Sequence, residues 1–291
     1  MKETFGQKTR RSHKRNQRVV MFWCAFVFAF VIAGVWLFRG TLFQNDSGAS
    51  SSGTNQSRHD ACGTADSRQK STDVTQAPMD HEVCQKLQDL VSQDQRVQQV
   101  IDNCEIYPED ILKMLSRNLD MLNFVLEYPE KVGQVFAETV GEVEGGEVPL
   151  LLQYDQRWGY GDYGNSSVAV SGCGPACLSM VITSLTGDDT ITPYVVAQYA
   201  SEQGYYVPGA GTAWTLMSEG AKHFGVIGEE LPLTKSIMEG VLKEGRPIIC
   251  SMRPGDFTTT GHFIVLTGMK DGKICVHDPN SKKRSEKLWD Y

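Results

Sequence analysis

The longest apolar run of the chain extends from Val19 to Phe38 and contains twenty residues without a charge. A helix of about twenty residues spans the ~30 Å hydrocarbon core of a bilayer. A helix buried in a soluble domain usually carries a polar stripe, and this segment has none. The pattern therefore predicts a transmembrane helix over residues 19–38.

The flanks of this segment favour an uncleaved anchor over a cleaved signal peptide. The run ends in the bulky residues 35–38, whereas a signal peptide usually has a shorter apolar region and a small-x-small cleavage site. Seven Lys and Arg against one Glu give residues 1–18 a net charge of +6. By the positive-inside rule this basic tail stays in the cytoplasm. We therefore expect a single-pass membrane protein whose C-terminal domain is extracytoplasmic.

Two changes of pattern follow the apolar run. Residues 39–80 are dominated by small and polar residues, which predicts a flexible linker. Residues 81–146 have apolar positions at helical spacing, first over 81–103 and then after two Tyr-Pro-Glu sequences, which suit the first turn of a helix. They predict a small helical region.

The helical region contains two cysteines, Cys84 and Cys104, near opposite ends of its first predicted helix. On one straight helix they lie too far apart to bridge, and a disulfide requires a turn between them.

The composition changes again at residues 147–291, which are rich in Gly, Tyr and Trp. Apolar spacing predicts helices first and strands afterwards, and Lys270-Asp271-Gly272 is a hairpin turn signal between the last two strands. Helices followed by antiparallel strands indicate an α+β domain. The predicted helices are 175–185, 193–203, 213–224 and 235–243, and the predicted strands are 247–252, 262–269 and 273–277.

The charge balance excludes a nucleic-acid-binding protein. The formal net charge of the chain is −7, so the +6 of residues 1–18 leaves −13 for the rest. An acidic body has no basic surface for a phosphate backbone. No phosphate-binding loop or dinucleotide fingerprint occurs, so we expect neither ATP nor another cofactor.

Cys173 falls at the amino end of the helix predicted over 175–185, between Gly172 and Gly174. Unpaired N–H groups and the helix dipole stabilise a thiolate there, and a lowered thiol pKa makes a cysteine nucleophilic at neutral pH. Cys177, one turn further on, is typical of a small core residue. The residues alone leave two interpretations open: a nucleophile, or two cysteines that merely pack or bind zinc. Two Cys without a second pair are a weak zinc signal, and we expect no metal.

Of the six histidines, His262 is the best placed to act as a base. It opens an apolar strand after a polar loop, where catalytic groups tend to lie. In a hairpin that turns at 270–272, paired positions sum to about 542, which sets His262 level with residue 280. Asp278 could then accept a hydrogen bond from the imidazole and fix its tautomer, and Asn280 is the competing partner. The alternative is a core histidine with an Asp that only caps a turn.

Four segments, taken in order, resemble one family of cysteine peptidases. They are Leu152–Trp158; Gly172–Met180; Gly211-Thr212-Ala213-Trp214 with Phe224-Gly225; and Gly245-Arg246-Pro247 with Gly261–Leu266 and Asp278-Pro279. Over residues 149–279 the chain resembles cysteine peptidase family thirty-nine in its stand-alone "thirty-nine-like" form, papain-like relatives of the bacterial double-glycine leader peptidases. The helical region is similar to the amino-terminal extension of some such proteins.

The resemblance implies a papain-like fold in which a helix bearing Cys173 packs on an antiparallel sheet bearing His262 and Asp278. It implies Cys173 as nucleophile, His262 as general base and then acid, and Asp278 as the residue that orients His262. Gln153 is the candidate side-chain donor to the oxyanion, beside the backbone N–H of Cys173. The leader peptidases proper are fused to an ATP-driven transporter. This chain has one predicted span and no phosphate loop, so we expect no exporter. Its active site is also expected outside the cell and not in the cytoplasm, where leaders are cut, so the double-glycine specificity does not transfer.

The sequence therefore predicts a membrane-anchored, extracytoplasmic cysteine peptidase of bacterial type that cleaves peptide bonds through a thioester. Its expected partners are a peptide or protein substrate and the membrane, without nucleic acid or ATP. Two alternatives stay open. One is a catalytically idle module on the same fold that binds peptide or wall material, and the other is an amidase or acyltransferase acting on cell-wall peptides.

Overall fold

A computed structural model describes residues 18–22 and 80–291 of the chain. Its first element is a strand, β1 (Arg18–Phe22), where the sequence predicted the start of a helix. Val and Phe favour strands, and a short apolar run fits a buried strand as well as a helix. The rest of the predicted span, the basic tail before Arg18 and the linker up to residue 79 lie outside the described residues. Within the two described ranges, no helix is both long and apolar enough to cross a membrane.

The region after the predicted linker is helical, as its spacing indicated. The side chain of Asp80 caps the first helix by accepting a hydrogen bond from the N–H of Glu82. The elements are α1 (His81–Val91), α2 (Val97–Asp102), a 3-10 turn at Cys104–Ile106, α3 (Glu109–Leu115), a 3-10 turn at Leu119–Met121, and α4 (Leu122–Lys131).

The single helix expected over 81–103 is broken, and this prediction was wrong. The Asp94 carboxylate accepts a hydrogen bond from the N–H of Arg96 at 2.9 Å, and this local turn separates α1 from α2. A turn is what a disulfide between Cys84 and Cys104 would require. The thiols of both residues are nevertheless free.

The second Tyr-Pro-Glu sequence ends a helix instead of beginning one. Pro129 lies in the last turn of α4, and Gly133 follows with a φ of 79°. Proline has no N–H to continue the helical ladder, and its ring clashes with the preceding turn, so α4 stops two residues later. The first such sequence behaves as predicted, because Pro108 directly precedes α3.

The longest helix of residues 147–291 begins at Cys173, two residues before its predicted start. Gly172 is the residue that precedes this helix, and Gly187 ends it in the left-handed conformation with a φ of 74°. The helix expected over 213–224 is split in two. The elements are α5 (Val168–Ser171), α6 (Cys173–Thr186), α7 (Pro193–Glu202), α8 (Thr215–Ser218), a 3-10 turn at Gly220–Phe224, α9 (Lys235–Lys243) and α10 (Lys282–Ser285).

Two short hairpins and one larger sheet account for the strands of the described residues. The hairpins are β2 (Asp162–Tyr163) with β3 (Ser166–Ser167), and β4 (Tyr206–Val207) with β5 (Gly211–Thr212). The remaining strands are β6 (Ile227–Leu231), β7 (Ile248–Met252), β8 (His262–Lys270), β9 (Lys273–His277) and β10 (Leu288–Trp289).

The larger sheet is mixed, with the described strands in the order β10-β9-β8-β7-β1-β6. Strands β7 to β10 are antiparallel, as predicted, whereas β1 runs parallel to both β6 and β7. The sequence analysis missed β6, because Glu229 and Glu230 interrupt its apolar pattern.

The hairpin between β8 and β9 carries a bulge that sets its register. Next to the turn, Lys270 faces Lys273, so paired positions sum to 543; beyond an irregularity between Leu266 and Gly268 they sum to 542, as in Val265 facing His277. The expected register therefore holds on the side of the bulge where His262 lies. A bulge adds one residue to one strand and re-aims the side chains beyond it.

Helix α6 packs on the sheet, and all of its residues from 174 to 183 are buried. Ala176, Leu178 and Val181 are fully buried in one cluster with Val265 of β8. A helix that is hydrophobic all round belongs in the core of its domain. The helical region does not stand apart from this domain, since its core residues share a second cluster with Leu152, Tyr154, Tyr160 and Ala169. The described structure is α+β, with a cysteine-bearing helix against a sheet, as the sequence predicted.

Candidate active site

Cys173 is the first residue of α6, and its side chain is partly exposed. The turn before it is tight, because Gly172 donates its N–H to the carbonyl of Val168 at 2.8 Å. Pro175 stands in the first turn, where its missing N–H costs no hydrogen bond. The Cys173 sulfur therefore lies at the positive end of a 14-residue helix.

His262 and Asp278 form a buried pair across the ends of β8 and β9. The imidazole Nε2 lies 2.8 Å from Oδ1 of Asp278, and the two residues are 8% and 0% exposed. The thiol of Cys173 lies close enough to the imidazole of His262 for each group to shift the pKa of the other. The structure thus brings together three of the four predicted site residues.

The carboxylate of Asp278 is held by more than the histidine. Its Oδ1 also accepts the backbone N–H of Asn280 at 2.8 Å. Its Oδ2 pairs with Nε of Arg284 in α10. The Asp278 N–H donates to Oγ of Ser285 at 2.9 Å, so α10 fixes both the main chain and the side chain of this residue.

The surroundings of Cys173 favour its thiolate. Burial raises the pKa of the thiol, but the hydrogen bond and positive charge of His262, with the N–H groups of Phe263 and Gly174, outweigh it and leave the pKa lowered. The nearby Cys177 has no such partner. Burial, together with the charge at Cys173, raises the pKa of Cys177 well above its usual value.

Burial and pairing also oppose each other at His262 and Asp278. Burial lowers the pKa of His262, but its hydrogen bonds to Asp278 and Cys173 prevail and raise the pKa to about 9. Burial raises the pKa of Asp278, but the hydrogen bond and charge of His262 and the charge of Arg284 leave it lowered. At neutral pH these directions favour an imidazolium between two anions.

Gln153 lies beside the site, where hydrogen bonds hold its side chain and its backbone. Its side chain is 3% exposed, and its Nε2 donates to the carbonyl of Ala169 at 2.6 Å, just ahead of the cysteine helix. Its Oε1 has no protein partner. Its backbone N–H donates to the carbonyl of Pro279 at 2.8 Å. Gln153 Nε2 also lies 3.4 Å from the carbonyl of Val170, so Gln153 links the segments that precede Cys173 and follow Asp278.

Asn280, the competing partner of His262, contacts Asp278 through its backbone N–H. Its side-chain Oδ1 is buried without a hydrogen-bond partner. Asp278, and not Asn280, is therefore the hydrogen-bond partner of His262. Asn280 contacts the same carboxylate through its backbone N–H.

Sequence reasoning missed Arg284 and the α10 segment. Lys282-Lys283-Arg284 reads as a solvated basic run near the end of the chain. A capping Ser281 three residues before Arg284 was the available signal for a short helix, and its Oγ accepts the N–H of Arg284 at 3.2 Å.

Fold and site together define a cysteine peptidase-like domain: a thiol at a helix amino end, near a histidine that is hydrogen-bonded to a carboxylate at the ends of two antiparallel strands. A sequence model of one family, described as the Peptidase_C39 like family, matches residues 146–291, half of the chain. The chain belongs to that family, which confirms the resemblance drawn from its four segments. No curated protein and no solved structure matches the chain.

Proposed function

We propose that the protein is a cysteine hydrolase that cleaves peptide bonds with Cys173, His262 and Asp278. The observation that carries the proposal is the position of His262, whose Nε2 lies 2.8 Å from the carboxylate of Asp278 and whose charge lowers the pKa of the neighbouring Cys173 thiol. A nucleophile with its base, and a base with its orienting group, is the arrangement that covalent catalysis requires.

The reaction begins with attack of the Cys173 thiolate on the carbonyl carbon of the substrate amide. The C–S bond forms as the carbonyl becomes an oxyanion, which the backbone N–H of Cys173 stabilises; Gln153 Nε2 becomes the second donor when it exchanges its long contact to Val170 for the oxyanion. The His262 imidazolium then gives its proton to the leaving nitrogen. The C–N bond breaks, the amine departs, and the acyl group remains on Cys173 as a thioester.

Water completes the cycle. The neutral imidazole of His262 takes a proton from the water as it attacks the thioester, and a second oxyanion forms in the same place. When the C–S bond breaks, the carboxylic acid product leaves and the thiolate is again paired with the imidazolium. Asp278 keeps its negative charge throughout and holds the imidazole in one orientation.

The test combines labelling with substrate profiling on the full chain. Iodoacetamide should alkylate Cys173 before Cys177 under native conditions, with the labelled cysteine located by mass spectrometry. The same preparation, incubated with a mixture of defined peptides, should release products with new carboxyl and amino ends, and Cys173→Ala should release none. Cys177→Ala is the matched control, because it removes a buried thiol and leaves the pair intact.

Other results would favour the other readings. Slow, uniform labelling without hydrolysis would reject the enzyme and favour a binding module. Transfer of the acyl group to an added amine, with little hydrolysis, would identify an acyltransferase. Cleavage only of wall-derived peptides would identify an amidase of the cell wall.

We further propose that the domain works outside the cytoplasmic membrane, anchored through residues 19–38. The support is the uncharged run with its basic flank at residues 1–18. If the anchor forms, residues 19–22 are the start of the membrane helix. The alternative for these residues is the strand β1 in the sheet.

A further inference from the structure

The turn that follows α3, Ser116–Asn118, reaches the loop that carries Asp278. The Nδ2 of Asn118 donates to the backbone carbonyl of Asn280 at 2.9 Å, across 162 residues of sequence. The other end of the same amide is also engaged, since its Oδ1 accepts the N–H of Asp120 at 3.2 Å. The Asn118 side chain is therefore held between the helical region and the loop at 278–281.

The neighbouring residue reaches the loop on the other side of the site. The Nη1 of Arg117 lies 3.4 Å from Oγ1 of Thr259, three residues before His262. Two consecutive residues of the helical region thus contact the loop that precedes His262 and the loop that follows Asp278.

The turn at residues 116–118 is held in place because the residues that flank it are buried. Leu115 and Met121, which flank it, are both 0% exposed. They share a hydrophobic cluster with Tyr154, next to Gln153. The loop after Asp278 is consequently held at two successive carbonyls, Pro279 by Gln153 and Asn280 by Asn118.

We propose that the helical region is a built-in part of the active site, in which Asn118 positions the Asp278 loop and, through it, the imidazole of His262. The expected effect of Asn118 on turnover rests on the proposed function. Its expected effect on the pKa of His262 does not. Asn118 touches no reacting atom and acts through the loop. A small displacement of a catalytic group costs rate out of proportion to its size.

The test compares Asn118→Ala with Asn103→Ala in the full chain. Asn103 is the matched control, because its Nδ2 donates to Gln99 within the helical region and is exposed, away from the loop. The primary measurement is NMR titration of the His262 ring, which does not depend on turnover. Thermal unfolding, the pH profile of Cys173 alkylation, and kcat and KM on a cleaved peptide complete the set.

We expect Asn118→Ala to lower the pKa of His262 by about half a unit, since a loosened carboxylate stabilises the imidazolium less well. It should reduce kcat about tenfold with KM nearly unchanged. Asn103→Ala should leave all of these values at wild type. If Asn118→Ala lowers only the unfolding temperature, or if Asn103→Ala shifts His262 equally, the positioning role is rejected. A wild-type chain that hydrolyses no peptide would reject the proposed function, and the His262 titration would still decide this inference.

Discussion

Burial and charge act in opposite directions on the three side chains of the site. His262 and Asp278 are buried and Cys173 is partly buried, which alone would favour the neutral form of each. Mutual contact reverses that outcome, because each charged form has an opposite charge beside it. The neighbours of Cys173 therefore stabilise its thiolate. A change in the protonation of one of the three groups shifts the pKa of the others.

The first prediction concerns the pH dependence of alkylation and hydrolysis. Cys173 has a lowered pKa, so its thiolate should persist below the usual thiol range of about 8.5. Hydrogen bonds to Asp278 and Cys173 raise the pKa of His262 to about 9, so the imidazolium should lose its proton above that pH. The profile of kcat/KM against pH should be bell-shaped, with its basic limb near 9. A single alkylation step at an ordinary thiol pKa would contradict the ion pair.

The second prediction separates Asp278 from Asn280. Asp278→Asn removes the anion that stabilises the imidazolium, so kcat should fall by about 10²- to 10⁴-fold. The pKa of His262 should fall as well, and that of Cys173 should rise, because each loses part of its charged partner. These changes are measured by steady-state kinetics and by the alkylation profile.

Asn280→Ala is the comparison for that experiment. It keeps the backbone N–H that donates to Asp278, so its effect on kcat should be mild. If Asn280→Ala is the more damaging change and Asp278→Asn stays active, the catalytic set is Cys-His-Asn.

The site residues that could be predicted from the sequence were those positioned by nearby residues or by consecutive strands. The helix amino end identifies Cys173 from a few neighbouring residues, and hairpin register brings Asp278 to His262 because the strands are consecutive. Arg284 and Asn118 could not be found in this way. Their contacts to the Asp278 loop depend on how α10 folds back and how a distant helical region docks, which no local pattern encodes.

At the scale of elements, the glycines around Cys173 allow α6 to approach its neighbours. A Cβ on Gly174 would lie 2.8 Å from side-chain atoms of Thr212 in β5, and one on Gly172 would lie 2.4 Å from the carbonyl oxygen of Val168. Thr212 cannot easily withdraw, because its Oγ1 is 2.8 Å from the buried hydroxyl of Tyr163. The start of α6 is therefore fixed by close packing.

The third prediction follows from this packing. Gly174→Ala should destabilise the fold by about 1–3 kcal/mol through overpacking and should displace the Cys173 sulfur, so that alkylation at neutral pH slows. Thermal unfolding and the labelling rate measure the two effects.

Gly240→Ala provides the control, since nothing lies within 4 Å of its Cβ position in α9. There the same substitution should stabilise the protein by about 0.5–1 kcal/mol, as expected for a helix interior. Equal destabilisation by both variants would argue against a specific constraint at Cys173.

Elements were predictable where pattern and end signals agreed. Helix α9 and strand β9 have the bounds that the sequence indicated, because each combines clear periodicity with a flanking Gly or turn. Pro129 misled the analysis, since a Pro-Glu pair can close a helix whose apolar face begins earlier. Strand β6 was missed because parallel pairing, which is non-local, stabilises a charged segment that has little strand character of its own.

At the scale of the whole molecule, two parts that composition separates are joined by packing. The sequence changes character near residue 146, yet Leu152, Tyr154 and Tyr160 bury their side chains among those of the helical region. A change in composition therefore does not mark a structural boundary here, because apolar residues from both sides of residue 146 pack in one cluster. The helical region therefore supports the site from outside the matched family segment.

The last prediction concerns the location of the molecule. If residues 19–38 anchor the chain, protease added to intact cells should digest the domain and spare the segment before Arg18, because a basic tail remains in the cytoplasm. Tags at the two ends of the chain, followed by blotting before and after cell lysis, measure this. A variant with residues 1–18 stripped of their Lys and Arg is the control, since it should lose the fixed orientation. Recovery of a soluble domain that starts near residue 40 from the medium would show a cleaved signal. Protection of both ends in intact cells would place the domain inside, where Arg18–Phe22 is free to serve as the strand β1 between β6 and β7.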